Sequence, residues 1–229
     1  MTRGRRLLLL LLNLLPLAHV VLLVGLGTIA FGSWPARTAA VLAALYLLPP
    51  IAARTGLAGM GIREGSIAFG SRDFFVWWFS MQWQVVFCRF PALEEILRLV
   101  PGLYSAWLRL WGARVGRLTY WAPGTLILDR SFLCIGDDVV FGAGVRLNAH
   151  VIVREESGES RLLLATIRIG ERAQIGGYSL LTAGTTIAPG ETTRAFLLSP
   201  PFSSWEGGRR VRSDTHTQEE PENEHTLSG

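Results

Sequence analysis

Lysine is missing from this chain of 229 residues: all 22 basic residues are arginine. Charge of either sign is scarce, at 17% of residues, where an ordinary soluble domain carries about 25%. Beside 49% hydrophobic residues, that shortage excludes a disordered chain and argues against a freely soluble enzyme. Two distant cysteines, Cys88 and Cys134, exclude a disulfide scaffold. The net charge is +4, but the arginines form no dense stripe, so membrane headgroups are a better anionic neighbour than nucleic acid.

What the chain has in excess is long apolar runs near its start. Arg3, Arg5 and Arg6 precede a run from Leu7 to Ala30. As a helix that run is roughly 36 Å long, enough to cross a hydrocarbon core of about 30 Å and too long for a signal peptide. A second run starts at Ser33-Trp34-Pro35, an N-cap followed by proline in the first turn, and reaches about Ala53 past Pro49 and Pro50. The short turn near Gly32 makes the two helices an antiparallel transmembrane hairpin over residues 1–55. Arginines outside both ends, including Arg54, Arg63 and Arg72, put both termini on the cytoplasmic side of the inner membrane. Asn13 and His19 in the first helix read as contacts to the second span.

Residues 56–113 read as a linker and amphipathic helices. Five glycines between Gly56 and Gly70 mark the linker. Trp77, Trp78, Trp83, Phe74, Phe75, Phe79 and Phe87 then predict a helix lying in the membrane interface. Two shorter helices follow, one from Pro91 and one from Pro101 to Trp111.

From Val115 the chain beats in sixes. Aliphatic or aromatic heads recur at Val115, Trp121 and Ile127; after a two-residue slip, at Ile135, Phe141 and Leu147. After a longer interruption they resume at Leu163, Ile169, Ile175, Leu181 and Ile187. The fifth place of each hexad is small or branched, as at Thr125, Val139, Val145, Ala173, Ser179 and Thr185, and glycine often follows the head. Neither a helix of 3.6 residues per turn nor a period-two strand makes this pattern. It suits a parallel β-helix of three short strands per coil, with head and fifth residues inward and glycine easing the corners. The fold class is therefore α+β: a helical membrane hairpin, amphipathic helices, and a β-helix over residues 114–200. The polar stretch 201–229 reads as a disordered tail.

Ile135-Gly-Asp-Asp-Val-Val-Phe-Gly142 and Ile169-Gly-Glu-Arg-Ala-Gln-Ile-Gly176 resemble the hexapeptide-repeat acyltransferases, over roughly Val115 to Gly190. The resemblance implies a left-handed β-helix, a homotrimer, acyl-CoA as co-substrate in the groove between subunits, and a histidine that deprotonates a hydroxyl or amine acceptor. Gly176, Gly177, Ala183 and Arg194 are the candidate CoA contacts. The segment Ser199-Pro-Pro-Phe-Ser-Ser-Trp205 departs from the family's usual valine- and proline-rich ending.

Of the four histidines, His19 is in the hairpin and His216 and His225 are in the tail; only His150 stands on the repeat. It lies beside the interruption Arg154–Arg161, at an outward place, and its ordinary pKa near 6.5 suits a general base. Asn148, Gly176 or Gly177 would supply the oxyanion donor, and Glu155 or Glu156 would orient the ring. One histidine on the repeat is too few for a catalytic zinc, and no cofactor is expected. Together these features imply a membrane-anchored acyltransferase with a lipid-linked or amphiphilic acceptor. A noncatalytic scaffold for a membrane biosynthetic complex, or a carrier-protein donor, are the alternatives.

Overall fold

The computed structural model describes residues 2–28, 32–155 and 158–211. Two helical rods open the chain, Arg3–Thr28 with mean hydropathy 2.7 and Trp34–Met60 with 1.5, both long and apolar enough to cross a membrane. Each is interrupted once: α1 (Arg3–Asn13) meets α2 (Leu15–Thr28) just before Pro16, and α3 (Trp34–Tyr46) meets α4 (Leu48–Met60) at Leu47, just before Pro49-Pro50. Proline removes a backbone donor and clashes with the preceding turn, so the breaks fall there. His19 Nε2 lies 3.0 Å from the Ala44 carbonyl in the second rod, which ties the two together. Asn13 makes a different contact from the one expected, accepting from Trp78 Nε1 at 2.9 Å on the next helix.

That helix, α5 (Arg72–Arg89), is capped by the Ser71 hydroxyl, which accepts from Phe74 N. No residue from Asp73 to Cys88 is exposed. The expected interfacial helix is thus a central one, packed against the rods on one side and the β-helix on the other. Its rings fill a core: Phe74 stacks on Trp78, and Phe87 meets Trp107 edge-on. The short helices α6 (Ala92–Arg98) and α7 (Leu103–Leu110) follow, and Trp107, Leu108 and Trp111 close the first end of the β-helix. The stretch expected to be a linker holds the end of α4 and a strand, Gly65–Ala68.

The sixfold beat builds three parallel faces. Val115, Ile135, Ile169, Ile187 and Trp205 stack on one face; Trp121, Phe141 and Ile175 on the second; Ile127, Leu147, Leu181 and Ser199 on the third. Heads and fifth residues point inward: Ile127, Phe141, Leu147, Leu181, Val139, Val145 and Thr185 are all buried. The beat outlasts the apolar heads, because Thr193, Ser199 and Trp205 continue it. Strands Ser204–Glu206 and Arg209–Val211 form a closing hairpin, so order extends ten residues past the expected start of the tail. Residues 212–229, including His216 and His225, lie outside the described residues.

Two sequence expectations change in detail. Leu163 is not a head; it pairs with Val151 in an antiparallel excursion made by Gly65–Ala68, His150–Arg154 and Ser160–Leu164. Glycine after the head serves close stacking rather than the corner. A Cβ on Gly142 would lie 2.5 Å from the Gly177 nitrogen of the next coil, which no real side chain allows. The left-handed corners fall two residues later, often on other residue types, as at Leu118, Asp138 and Tyr178.

Candidate functional site

The slip after Ile127 inserts Asp129 and Arg130 at one edge of the prism, and Asp129 takes a left-handed φ of 61° there. One coil on, the interruption after Leu147 leaves from the same edge. Leu128 pairs with Asn148, so Asp129 stands beside Ala149 and His150. His150 opens the antiparallel excursion, paired with Leu164. Two irregularities in the repeat, 21 positions apart, are thereby stacked into one contact.

His150 Nδ1 is hydrogen-bonded to Asp129 Oδ2. The other carboxylate oxygen, Oδ1, accepts from Trp77 Nε1 of α5 at 2.7 Å. The Trp77 ring also meets the imidazole edge-on, with centroids 4.9 Å apart and planes at 65°. The Asp129 side chain is 1% exposed and that of His150 16%. Burial pulls the imidazole pKa down, but the hydrogen bond and charge of Asp129 outweigh it, so the pKa is raised above 6.5. With Nδ1 held by a carboxylate, the neutral ring keeps its proton there and carries its lone pair on Nε2. Among the described residues Nε2 makes no hydrogen bond. This arrangement is able to accept a proton from a substrate placed against Nε2.

Beside the dyad lies a second buried group. The Arg130 guanidinium is hydrogen-bonded to Glu94 and to Gln84 Oε1, the latter at 2.9 Å, within reach of the Trp111, Trp107 and Phe87 faces. Glu94 also accepts from Tyr104 Oη and from Arg98. Burial and the Glu94 charge raise the Tyr104 pKa well above 10, so its hydroxyl stays a donor. This network fastens α5, α6 and α7 to the corner that carries Asp129.

The other sequence-picked residues fall at two edges. Asn148 is half-buried at the dyad's edge, and Ala183 follows the same edge one coil further, fully buried, so its side chain cannot meet a ligand. Gly176, Gly177 and Arg194 occupy a different edge, where Gly176 packs on the Arg194 backbone. Gly176 N–H already donates to Thr193 Oγ1 at 3.0 Å, which removes it as an oxyanion donor within one chain. Glu155 pairs with Arg161 Nε at 3.3 Å instead of orienting the imidazole. Asp129 does that work, because a stacked coil holds it rigidly whereas Glu155 lies out on the excursion. Glu156 lies outside the described residues. Sequence reading missed Asp129 and Trp77. The slip signalled the first; nothing in the repeat signals the second, which arrives on a helix 52 residues upstream of its carboxylate partner. Among the described residues no three His, Cys, Asp or Glu side chains gather to hold a metal ion.

No family model matches the chain, and no curated protein matches it. Solved structures do, at low identity. A maltose O-acetyltransferase from Clostridium difficile is 16% identical, with a TM-score of 0.40, over 56% of this chain and 84% of that one. A hexapeptide-repeat acetyltransferase from Vibrio cholerae, solved with acetyl coenzyme A, is 18% identical, with a TM-score of 0.36, over 53% of this chain and 85% of that one. A galactoside acetyltransferase in complex with coenzyme A is 16% identical, with a TM-score of 0.35, over 54% and 78% of the two chains.

Proposed function

We propose that this chain is a membrane-anchored acyltransferase. It moves an acyl group, acetyl in the simplest case, from acyl-CoA to a hydroxyl or amine of a membrane-associated acceptor. The observation that carries the reading is the Asp129–His150 dyad, a buried carboxylate holding one ring nitrogen while the other makes no hydrogen bond among the described residues. The two hexad phrases that resemble the hexapeptide-repeat acyltransferases support the same chemistry. His150 Nε2 takes the proton as the acceptor oxygen or nitrogen attacks the thioester carbon. The C–S bond then breaks, and CoA leaves as the thiol on receiving that proton. No metal or enzyme nucleophile is needed, and one positioned base contributes about 10²–10⁴ in rate.

The coil is left-handed in this reading, and the active unit is a trimer. Gly177 and Arg194 stand at a different edge from His150 within one chain, so a neighbouring copy is required to bring that edge to the dyad. The rods anchor the trimer in the inner membrane with both termini cytoplasmic, following the arginines that flank them.

The test uses full-length protein in nanodiscs, acetyl-CoA, and release of free CoA thiol on addition of membrane-lipid extract. Wild type should release thiol in step with acylated acceptor, and His150→Ala should lower the rate by about 10²-fold or more. Full transfer by His150→Ala rejects the base. A noncatalytic scaffold is favoured by one observation: Trp77 caps the imidazole and leaves it only 16% exposed. Wild type that neither hydrolyses acetyl-CoA nor acylates any extract component selects the scaffold.

A further inference from the structure

Two clefts adjoin where α7 meets the first coil, sharing Arg109 and Gly116. One, of about 590 Å³, runs between the turn that links α6 to α7 and the strand at Tyr120-Trp121; the other, of about 580 Å³, reaches the second rod. Five arginines line the pair, Arg54, Arg98, Arg109, Arg114 and Arg117, and no carboxylate does. Arg98 is committed to Glu94 and Glu95, yet its buried Nε has no hydrogen-bond partner among the described residues. Arg109 spends two donors on the carbonyls of Val115 and Gly116. Arg54, Arg114 and Arg117 pair with no acidic side chain among the described residues, although the Asp137 carboxylate accepts from the Arg117 backbone nitrogen. Four cations that form no side-chain ion pair among the described residues repel one another, and an anion between them relieves that cost.

The surroundings say which anion. Arg54 belongs to α4, about two turns before the rod ends at Met60, so the arginines stand where the apolar rod gives way to the β-helix. The lip of the larger cleft is apolar and open: Val100 is 53% exposed, Leu118 82% and Tyr120 59%. Such a lip beside a cationic floor matches an amphiphile with a phosphate head, and matches a wholly polar phosphate poorly.

We infer that the paired clefts bind the phosphate head of an anionic membrane phospholipid, with its glycerol and upper chain against Leu118 and Tyr120. This site is distinct from the dyad and stands whether or not the dyad catalyses acyl transfer. Lipid held there would fix the height and tilt of the β-helix on the membrane.

The test is native mass spectrometry of the full chain in detergent, titrated with phosphatidylglycerol or phosphatidylcholine. Wild type should retain phosphatidylglycerol at least tenfold more tightly. Arg54→Gln/Arg114→Gln/Arg117→Gln should lose about a hundredfold of that affinity, at roughly fivefold per arginine. The corresponding triple lysine variant should keep most of it, which separates lost charge from lost folding. His150→Ala should bind lipid as wild type does. Equal retention of the two lipids, or unchanged affinity in the triple glutamine variant, overturns the site. Displacement of the lipid by an equal concentration of adenosine 3′,5′-bisphosphate overturns the lipid assignment in favour of a soluble phosphate ligand.

Discussion

The prism and the seam beside it are stabilised in opposite ways. Inside the prism the same apolar contact is made again at every coil, from Ile127 on Leu147 to Leu147 on Leu181. Each such contact is small, neutral and repeated, so the loss of one is shared by its neighbours. In the seam, Arg130, Glu94, Arg98, Tyr104 and Gln84 meet once, with charges buried among Trp107, Trp111 and Phe87. No second copy of that contact exists among the described residues to take up its loss. The dyad belongs to both regions. Asp129 is placed by the prism, but Trp77 and the neighbouring Arg130 tie it to the helices. A repeat provides stiffness, and the break in the repeat provides the dyad.

This contrast makes the largest prediction a single substitution in the seam. Arg130→Met leaves the Glu94 charge buried with Arg98 as its remaining cation, and should cost about 3–5 kcal/mol in detergent-solubilised unfolding. Adding Glu94→Gln should recover part of that loss. If the double variant is no more stable than the single, the seam is not governed by its charges.

A smaller effect is expected at the border. Asp129→Asn removes the carboxylate that raises the imidazole pKa, so the pH at which transfer activity rises should move down and the maximal rate should fall by about 10²-fold. The same linkage appears in stability. His150 titrates higher in the folded than in the unfolded chain, so its contribution is complete below the unfolded value near 6.5. It is lost as pH rises through the raised folded value. Wild type should therefore exceed His150→Gln in stability most at pH 5.5–6 (about one unit below the unfolded value), and the gap should narrow toward alkaline pH. A gap that widens with pH contradicts the ion pair.

The smallest effect belongs to the prism. Ile135→Val removes one methylene from a stack that continues above and below, to Val115 and Ile169, and should cost about 0.5–1.5 kcal/mol. A loss as large as that of Arg130→Met would erase the distinction between the two regions.

Much of this molecule is written in local pattern. The apolar rods show as uninterrupted runs, and the three faces show because every coil repeats one rule at positions one and five. The rule even persists where its heads turn polar, at Thr193 and Ser199, and there apolarity alone stopped short. His150 could be singled out because it is the one histidine of four that stands on the repeat. Its partner was harder to read. Asp129 looks like a turn residue until the coils stack, and Glu155, nearer in sequence, was the wrong choice because closeness along the chain says little about an excursion.

The amino-acid sequence by itself determined the beat of six, the two apolar rods and the presence of one histidine on the scaffold, since each depends on residues a few positions apart. Only the tertiary structure decided that Trp77, Asp129 and His150 would meet, and that α5 would be buried rather than laid on a surface. Those contacts join segments up to 73 residues apart, and they form when coil settles on coil and helix on prism, a step that leaves no periodic mark in the chain.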